Sequence, residues 1–129
     1  MVILKTYLIA FSVFLVIDLL WLGVIAKSFY FRHLEPFFAE KINWPAAFIF
    51  YILFVAGILI FAIFPALEKQ SLQRAVVYGA LFGFFTYATY DLTNLATLRN
   101  WPVIIVIVDI LWGTVLCAAV ATAGYLAAR

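Results

Sequence analysis

Four apolar stretches, each long enough to cross a bilayer, restrict the folds open to this chain. They cover approximately residues 2–26, 45–67, 72–98 and 102–128. A transmembrane helix needs about 20 mostly apolar residues. Of the 129 residues, 69% are hydrophobic and 11% are charged, whereas soluble domains are nearer half apolar and a quarter charged. A core this small cannot hide that excess, because small domains leave a large share of their surface exposed. We therefore predict an all-α polytopic membrane protein, a single domain over residues 1–129 with four transmembrane helices in an antiparallel bundle.

The connections between these stretches are of two kinds. The second and third stretches, and the third and fourth, are joined by very short links, which predict antiparallel neighbours. Ser71 can cap the third helix through its hydroxyl, and Pro45 and Pro102 suit first helical turns. The first loop, Lys27–Trp44, mixes aromatic with charged side chains, a composition typical of the headgroup region. We expect an interfacial loop there, with a short helix on each side of Pro36.

An even number of spans places both termini on one side of the membrane. The first apolar run is longer than a typical signal-peptide core and contains Asp18, so we interpret it as a retained helix. Lys and Arg are divided four against four between the two sides, so the positive-inside rule does not orient the chain. The α-amino group favours cytoplasmic termini, which is the orientation that we predict.

Three acidic residues, Asp18, Asp91 and Asp109, lie within the predicted spans. Each is eight or nine residues from the loops on the non-terminal side, which at a 1.5 Å rise per residue is a depth of roughly 12–14 Å. An ionised Asp near the bilayer centre costs roughly 2.5–3.5 kcal/mol on insertion scales, so such residues usually face a protein interior or a wet cavity. The agreement in depth predicts one polar layer that opens toward the non-terminal side.

The third predicted helix carries most of the other polar side chains of this layer. One arc of that helix, centred on Tyr90 and flanked by Asp91, holds a set of hydroxyl, amide and phenol groups: Thr86, Tyr87, Tyr90, Thr93, Asn94 and Thr97. Gly79 and Gly83 lie on the same arc and form a G-x-x-x-G pair, which allows close helix approach. We therefore expect the third helix to be central in the bundle.

Two tryptophans complete the predicted layer. Trp21 and Trp112 each follow an Asp by three residues, one helical turn away, so their indole N–H groups can donate to a carboxylate. The candidate ligand-binding residues are Asp18, Asp91, Asp109, Tyr90, Asn94, Thr93, Trp21 and Trp112. The competing interpretation is that these groups act only as hydrogen-bond contacts between helices, each worth about 0.6 kcal/mol on average.

Several classes of function have no support in the sequence. A net charge of +2 without a basic stripe argues against nucleic acid as a partner. One Cys and one His cannot form a Cys/His metal site, so we expect no metal centre. Cys117 lies in an apolar run and is interpreted as a buried core residue, and His33 as a solvated interfacial side chain. The sequence identifies neither a catalytic residue nor a cofactor.

A short motif, Asn-Trp-Pro, occurs at residues 43–45 and 100–102, each time before an apolar helix. The two copies favour a parallel repeat of two helical hairpins. A further similarity, between "DLLWLG" from Asp18 and "DILWGT" from Asp109, relates antiparallel helices instead. The internal repeat therefore stays a hypothesis.

Three stretches, "IDLLWLGVIAKSFY", "FFTYATYDLTNLATLRNWP" and "VDILWGTVL", resemble the signatures of a family of small bacterial inner-membrane proteins. That family is known as domain of unknown function 2177. The resemblance extends over nearly the whole chain and implies a four-helix protein of the bacterial inner membrane. It implies no activity and transfers no catalytic residue.

Two classes of function fit the polar layer. The first is binding or transport of a small polar or amphipathic ligand, such as a lipid, or of a cation, with membrane lipids as partners. Four helices are few for a transporter, so a homo-oligomer would help. The second is an intramembrane lipid-modifying enzyme that uses a buried Asp as general acid or base. A non-catalytic accessory subunit is the remaining alternative, so enzymatic activity stays uncertain.

Overall fold

The computed structural model describes residues 2–129, which are almost entirely helical and contain no β-strand. Four long helices and one short one follow each other along the chain. Their bounds are α1 (Val2–Ile25), α2 (Lys27–Leu34), α3 (Trp44–Glu68), α4 (Leu72–Thr97) and α5 (Val103–Ala128). The last turn of α1 (Trp21–Ile25) and one turn of α3 (Leu59–Ile63) are π-helical. The all-α prediction is therefore confirmed.

Three of the four long helices, α1, α3 and α5, are long and apolar enough to cross a membrane. Helix α4 is equally long, with 26 residues, but Thr, Tyr, Asp91 and Asn94 interrupt its apolar character. The structure thus supports three spans by length and composition, and the fourth span stays a prediction.

The helix ends lie close to the predicted ones, and side chains explain several of them. The Ser71 hydroxyl accepts a hydrogen bond of 3.2 Å from the Arg74 backbone N–H at the start of α4, as predicted. The Asn43 side chain does the same for Ala46 at the start of α3, over 3.1 Å. Pro102 is extended and precedes α5 rather than lying in its first turn.

The first loop is helical on only one side of Pro36. Helix α2 precedes it, Pro36 itself lies in a 3₁₀ turn (Glu35–Phe37), and residues 38–43 form no helix. The prediction of a second interfacial helix, after Pro36, is therefore wrong. Phe38 is already extended, with ψ of 136°, and only six residues remain to connect the turn to α3, fewer than a stable isolated helix needs.

Helix α5, not α4, is the centre of the bundle, because it contacts α1, α3 and α4. Its closest partner is α4. A Cβ atom added at Gly79 would lie 2.6 Å from the Cys117 carbonyl oxygen, so the two helix backbones are nearly in contact there. Small residues on both helices permit this approach, which confirms the packing role predicted for the G-x-x-x-G pair.

Helix α3 divides into two halves with different neighbours. Its first half (Trp44–Ile58) packs mainly on α1, whereas its π turn and last turns contact α4 and α5. Pro65 lacks the N–H that would continue the regular hydrogen-bond ladder, and the π turn directly precedes it. As a result, α3 lies close to α4 near the terminal side and diverges from it toward the non-terminal side.

The two Asn-Trp-Pro motifs occupy different environments. Asn43 caps a helix and Trp44 is exposed, whereas Asn100 adopts a left-handed conformation with φ of 61° and Trp101 is buried. Asn tolerates this conformation better than most residues. The motif therefore does not indicate two equivalent hairpins at these positions.

Candidate functional site

The carboxylates of Asp18, Asp91 and Asp109 come from three long helices and lie around one region of the bundle. Asp18 on α1 is 6% exposed, Asp91 on α4 is fully buried, and Asp109 on α5 is half-buried. Their equal depth follows from their equal spacing from the non-terminal loops. They differ in the hydrogen bonds that they accept.

Asp18 accepts hydrogen bonds from two aromatic donors on different helices. The Tyr51 hydroxyl of α3 donates over 3.3 Å, and the Trp112 indole Nε1–H of α5 donates over 3.4 Å. Asp18 therefore joins α1, α3 and α5, and both of its oxygens are satisfied.

Asp109 is bound by the interfacial helix α2. The Tyr30 hydroxyl donates to Asp109 over 2.9 Å and accepts from the Trp21 indole over 3.2 Å. Burial, and after it the charge of Asp109, raises the pKa of the Tyr30 phenol, so this hydroxyl stays protonated and donates at neutral pH. Trp21 also stacks on Trp112, with ring centroids 4.3 Å apart and planes 9° apart. The stacked indoles connect the Asp18 and Asp109 environments.

Asp91 is the exception. Within residues 2–129, neither of its carboxylate oxygens has a hydrogen-bond partner, and the buried indole N–H of Trp101 also has none. The Asp91 carboxyl nevertheless lies close enough to the Trp101 indole and to the Asp109 carboxyl to interact with both, although not in good hydrogen-bond geometry. An unsatisfied buried polar group costs about 1–3 kcal/mol, so an acceptor and a donor left together in one place require an explanation.

Two adjoining cavities bring the carboxylates together. The deeper cavity has a volume of about 500 Å³ and contains Asp18 and Asp109 in its wall. The second, about 530 Å³, contains Asp91 and Asp109. Asp109, Tyr90 and Leu22 line both cavities. These volumes lie in the range of small-molecule sites.

The walls of the two cavities differ in character. Aromatic rings dominate the deeper cavity, through Phe50, Phe54 and Tyr87. The second cavity lies beneath α2 and the first loop, and Lys27 is the one cation that lines it. No group of three metal-ligating side chains occurs within the described residues. Carboxylates among aromatic rings form a site suited to a cationic group with hydrogen-bond donors.

Most of the predicted site residues take part in this arrangement. Asp18, Asp91, Asp109, Tyr90 and Trp112 line one or both cavities, and Trp21 joins them through Tyr30 and the indole stack. Their role in binding stays a prediction.

Thr93 and Asn94 do not line either cavity. The Thr93 hydroxyl donates to carbonyl oxygens of its own helix, including that of Tyr90. The reason is that α4 packs on α5 along the line of residues 75, 79, 83 and 91, all of which are buried. This ridge, in which residues are four apart except for the half-buried Tyr87 between 83 and 91, centres the buried face nearer Asp91 than Tyr90, and it turns Thr93 outward.

Three residues of the site were not predicted: Tyr30, Tyr51 and Trp101. Tyr30 and Trp101 lie in loop segments with many aromatic residues, and Tyr51 in a uniformly apolar helix. Only the tertiary structure brings their polar atoms to the carboxylates.

The family model described as "Predicted membrane protein (DUF2177)" matches residues 3–126. The chain belongs to the DUF2177 family. The match includes all three carboxylates and both cavities, and it establishes a predicted membrane protein rather than an activity. No curated protein and no solved structure matches the chain. For this DUF2177 protein, function must therefore be argued from the site itself.

Proposed function

We propose that this protein binds a membrane-resident amphiphile whose head group is a protonated primary amine. The head group lies against the neighbouring carboxyls of Asp91 and Asp109, and the apolar part extends into the deeper, aromatic cavity. The observation that carries the proposal is this pair of adjacent carboxyls in a cavity wall, of which Asp91 is fully buried and meets no partner in good hydrogen-bond geometry.

A primary ammonium group fits these carboxylates for two reasons. It supplies three N–H donors, and its charge compensates the repulsion between neighbouring anions. A quaternary ammonium group supplies charge but no donor, so it leaves the Asp91 oxygens unsatisfied. Aromatic rings of Tyr90 and Trp101, which lie 6.1 Å apart, add favourable contacts with a cation.

Binding is favoured over lipid hydrolysis by the composition of the walls. The residues that line the two cavities include no Ser, Cys or His, the side chains that most often form nucleophile–base pairs. The carboxylates are thus better suited to holding a charged group than to covalent catalysis.

We further propose that α4 is a fourth span, which puts both termini on one side of the membrane. We assign that side to the cytoplasm and the membrane to the bacterial inner membrane. Its support is the close packing of α4 along α5, through Gly79 and Gly83. A helix in such contact with a membrane-spanning neighbour shares its bilayer depth. The polar groups of α4 can be accommodated where they face the cavities.

Transport of the same ligand is a second candidate function. It is supported by the two cavities that meet at Asp109, one beneath the interfacial helix and one deeper in the bundle. A homo-oligomer is part of this candidate, because four helices are few for a translocation path. Uptake of amine into proteoliposomes, compared with protein-free vesicles, tests it.

The binding proposal is tested with three amphiphiles that share one chain and differ in the head group. Dodecylamine, dodecanol and dodecanoate are added at equal concentration to the purified protein in a neutral detergent, and thermal unfolding is followed. Only dodecylamine is expected to raise the melting temperature, because a ligand stabilises the state that binds it.

Two variants make this test specific. Asp91→Asn keeps the shape of the side chain and removes the charge, and it is expected to abolish the shift with dodecylamine. Glu40→Gln, an exposed carboxylate on the same side of the protein, is expected to keep the full shift. An equal shift with all three amphiphiles, or an undiminished shift in Asp91→Asn, contradicts the proposal.

A further inference from the structure

We infer that the ligand enters sideways from the bilayer, through a gap between α3 and α4, and that its apolar part occupies this gap. The inference rests on the proposed function, since it takes the ammonium head group as given. It adds the route of entry and the place of the apolar part.

The gap follows from the divergence of α3 and α4. The backbone of the first half of α3 (Trp44–Ile58) runs closer to α1 than to α4. Its inner face nevertheless lines the deeper cavity through Phe50 and Phe54, and α4 lines the opposite wall through Thr86 and Tyr87. The cavity therefore lies between two helix backbones that stay apart at this level, and the Phe54 and Tyr87 rings meet at one end of it, with centroids 6.0 Å apart.

The gap is closed on the terminal side by an aromatic contact. The Phe82 ring of α4 sits against Gly57 of α3, where an added Cβ would lie only 2.7 Å from Cζ of Phe82. The same ring lies 5.2 Å from Phe54 and 6.0 Å from Phe61, measured between ring centroids. Phe54 also lies 6.0 Å from the Tyr87 ring of α4, so the opening ends at this aromatic cluster, which limits it to a short slot.

The slot opens at the depth of the hydrocarbon rather than of the head groups. Phe50 lies six residues beyond Trp44, the first residue of α3, which corresponds to a depth of about 9 Å along the helix. Phe50 is 48% exposed and Tyr90 is 57% exposed, so both edges of the slot face outward at this depth. A molecule that passes between them comes from the acyl-chain region.

Charge and polarity define the occupant. The outer part of the slot presents aromatic rings, and carboxylates lie at its inner end. A molecule with an apolar chain and a cationic head matches this order from outside to inside. Because lipid is as apolar as the slot, the chain gains little binding energy on entry. The chain instead determines the path by which the ligand enters. Closing the slot should therefore block the binding of an amine with a long chain and leave the binding of a small amine unchanged.

A cross-link across the slot tests this directly. Phe50→Cys and Thr86→Cys are combined with Cys117→Ala and bridged with a short bismaleimide in the full-length protein, reconstituted in phosphatidylcholine vesicles. The matched control is the same variant treated with N-methylmaleimide, which adds bulk at both positions without joining the helices. Dodecylamine is supplied in the membrane, and methylammonium is supplied in water.

The bridged protein is expected to retain at least tenfold less dodecylamine than the control, and to bind methylammonium within twofold of it. Equal retention of dodecylamine by bridged and control proteins overturns the lateral route but leaves the proposed function intact. If neither dodecylamine nor methylammonium binds to the unmodified protein, the proposed function is overturned, and the inference with it.

A second pair of variants avoids the cross-link. Phe50→Ala widens the slot and is expected to speed the release of dodecylamine at least threefold. Phe48→Ala truncates an exposed phenylalanine on the same helix that does not line the cavity, and it should leave release unchanged. Equal release rates for the two variants contradict the lateral route.

Discussion

At the scale of single residues, the three carboxylates are distinguished by their hydrogen bonds. Asp18 accepts from two donors and Asp109 from Tyr30, whereas Asp91 accepts from none within the described residues. Asp18 therefore holds helices together, whereas Asp91 makes no such stabilising hydrogen bond and its burial costs free energy. This difference assigns opposite expectations to two substitutions.

Asp18→Ala should lower the free energy of unfolding by about 1–3 kcal/mol, because it leaves the Tyr51 hydroxyl and the Trp112 indole without an acceptor. Asp91→Asn should change it by much less, since no hydrogen bond is lost. Chemical unfolding of both variants in the same mixed micelles measures the difference. Equal losses would show that Asp91 has structural partners after all.

At the scale of elements, helix α2 packs on the bundle through two buried side chains, Tyr30 and Leu34, and Tyr30 adds hydrogen bonds. Tyr30 is buried and links Trp21 of α1 to Asp109 of α5. The helix has only eight residues, too few to be stable alone. Its order therefore depends on this attachment.

Tyr30→Phe should loosen α2 without unfolding the bundle, because it removes the hydroxyl and keeps the ring. The expected result is faster amide hydrogen exchange over Lys27–Leu34 than in the native protein. Tyr78→Phe, which removes a hydroxyl that accepts from Arg74, serves as control and should leave α2 unchanged. Unaltered exchange in α2 after Tyr30→Phe would contradict this role.

The contact between α4 and α5 has its own test. Gly79→Ala should destabilise the protein by about 1–3 kcal/mol, because overpacked side chains force backbones apart. Gly23→Ala should be neutral or slightly stabilising, since nothing lies within 4 Å of an added Cβ there and Ala is a better helix former than Gly. Thermal unfolding in detergent compares them, and similar melting temperatures would refute the close packing.

The sequence predicted the elements better than their contacts. Apolar length and local caps, such as Ser71, identified the long helices, and residue counts placed the three Asp at one depth. The buried face of α4 is centred on Asp91 because of the way in which α5 packs against it. The sequence of one helix does not specify that packing. For the same reason the sequence did not reveal that Tyr51 faces Asp18, or that residues after Pro36 form no helix.

At the scale of the whole molecule, the arrangement is a bundle whose polar groups gather in one layer while apolar side chains face outward. Exposed apolar residues occur along all four long helices, as expected where lipid is the solvent. The three membrane-capable helices and α4 enclose the carboxylates together. Membership in the DUF2177 family is consistent with this architecture.

The four-span topology predicts a specific labelling pattern. Gln70→Cys lies in the link between α3 and α4, and Asn100→Cys in the link between α4 and α5. In a Cys117→Ala background, a membrane-impermeant maleimide should reach position 100 from outside intact spheroplasts and position 70 only after lysis. Labelling of both positions from one side would exclude α4 as a span.

Native mass spectrometry of the protein as purified from membranes shows whether Asp91 holds a cationic head group. We predict a bound amphiphile that carries an amine, present on the native protein and lost from Asp91→Asn while Glu40→Gln retains it. A neutral or anionic amphiphile bound equally to all three proteins, or no bound amphiphile even after addition of dodecylamine, would contradict the account.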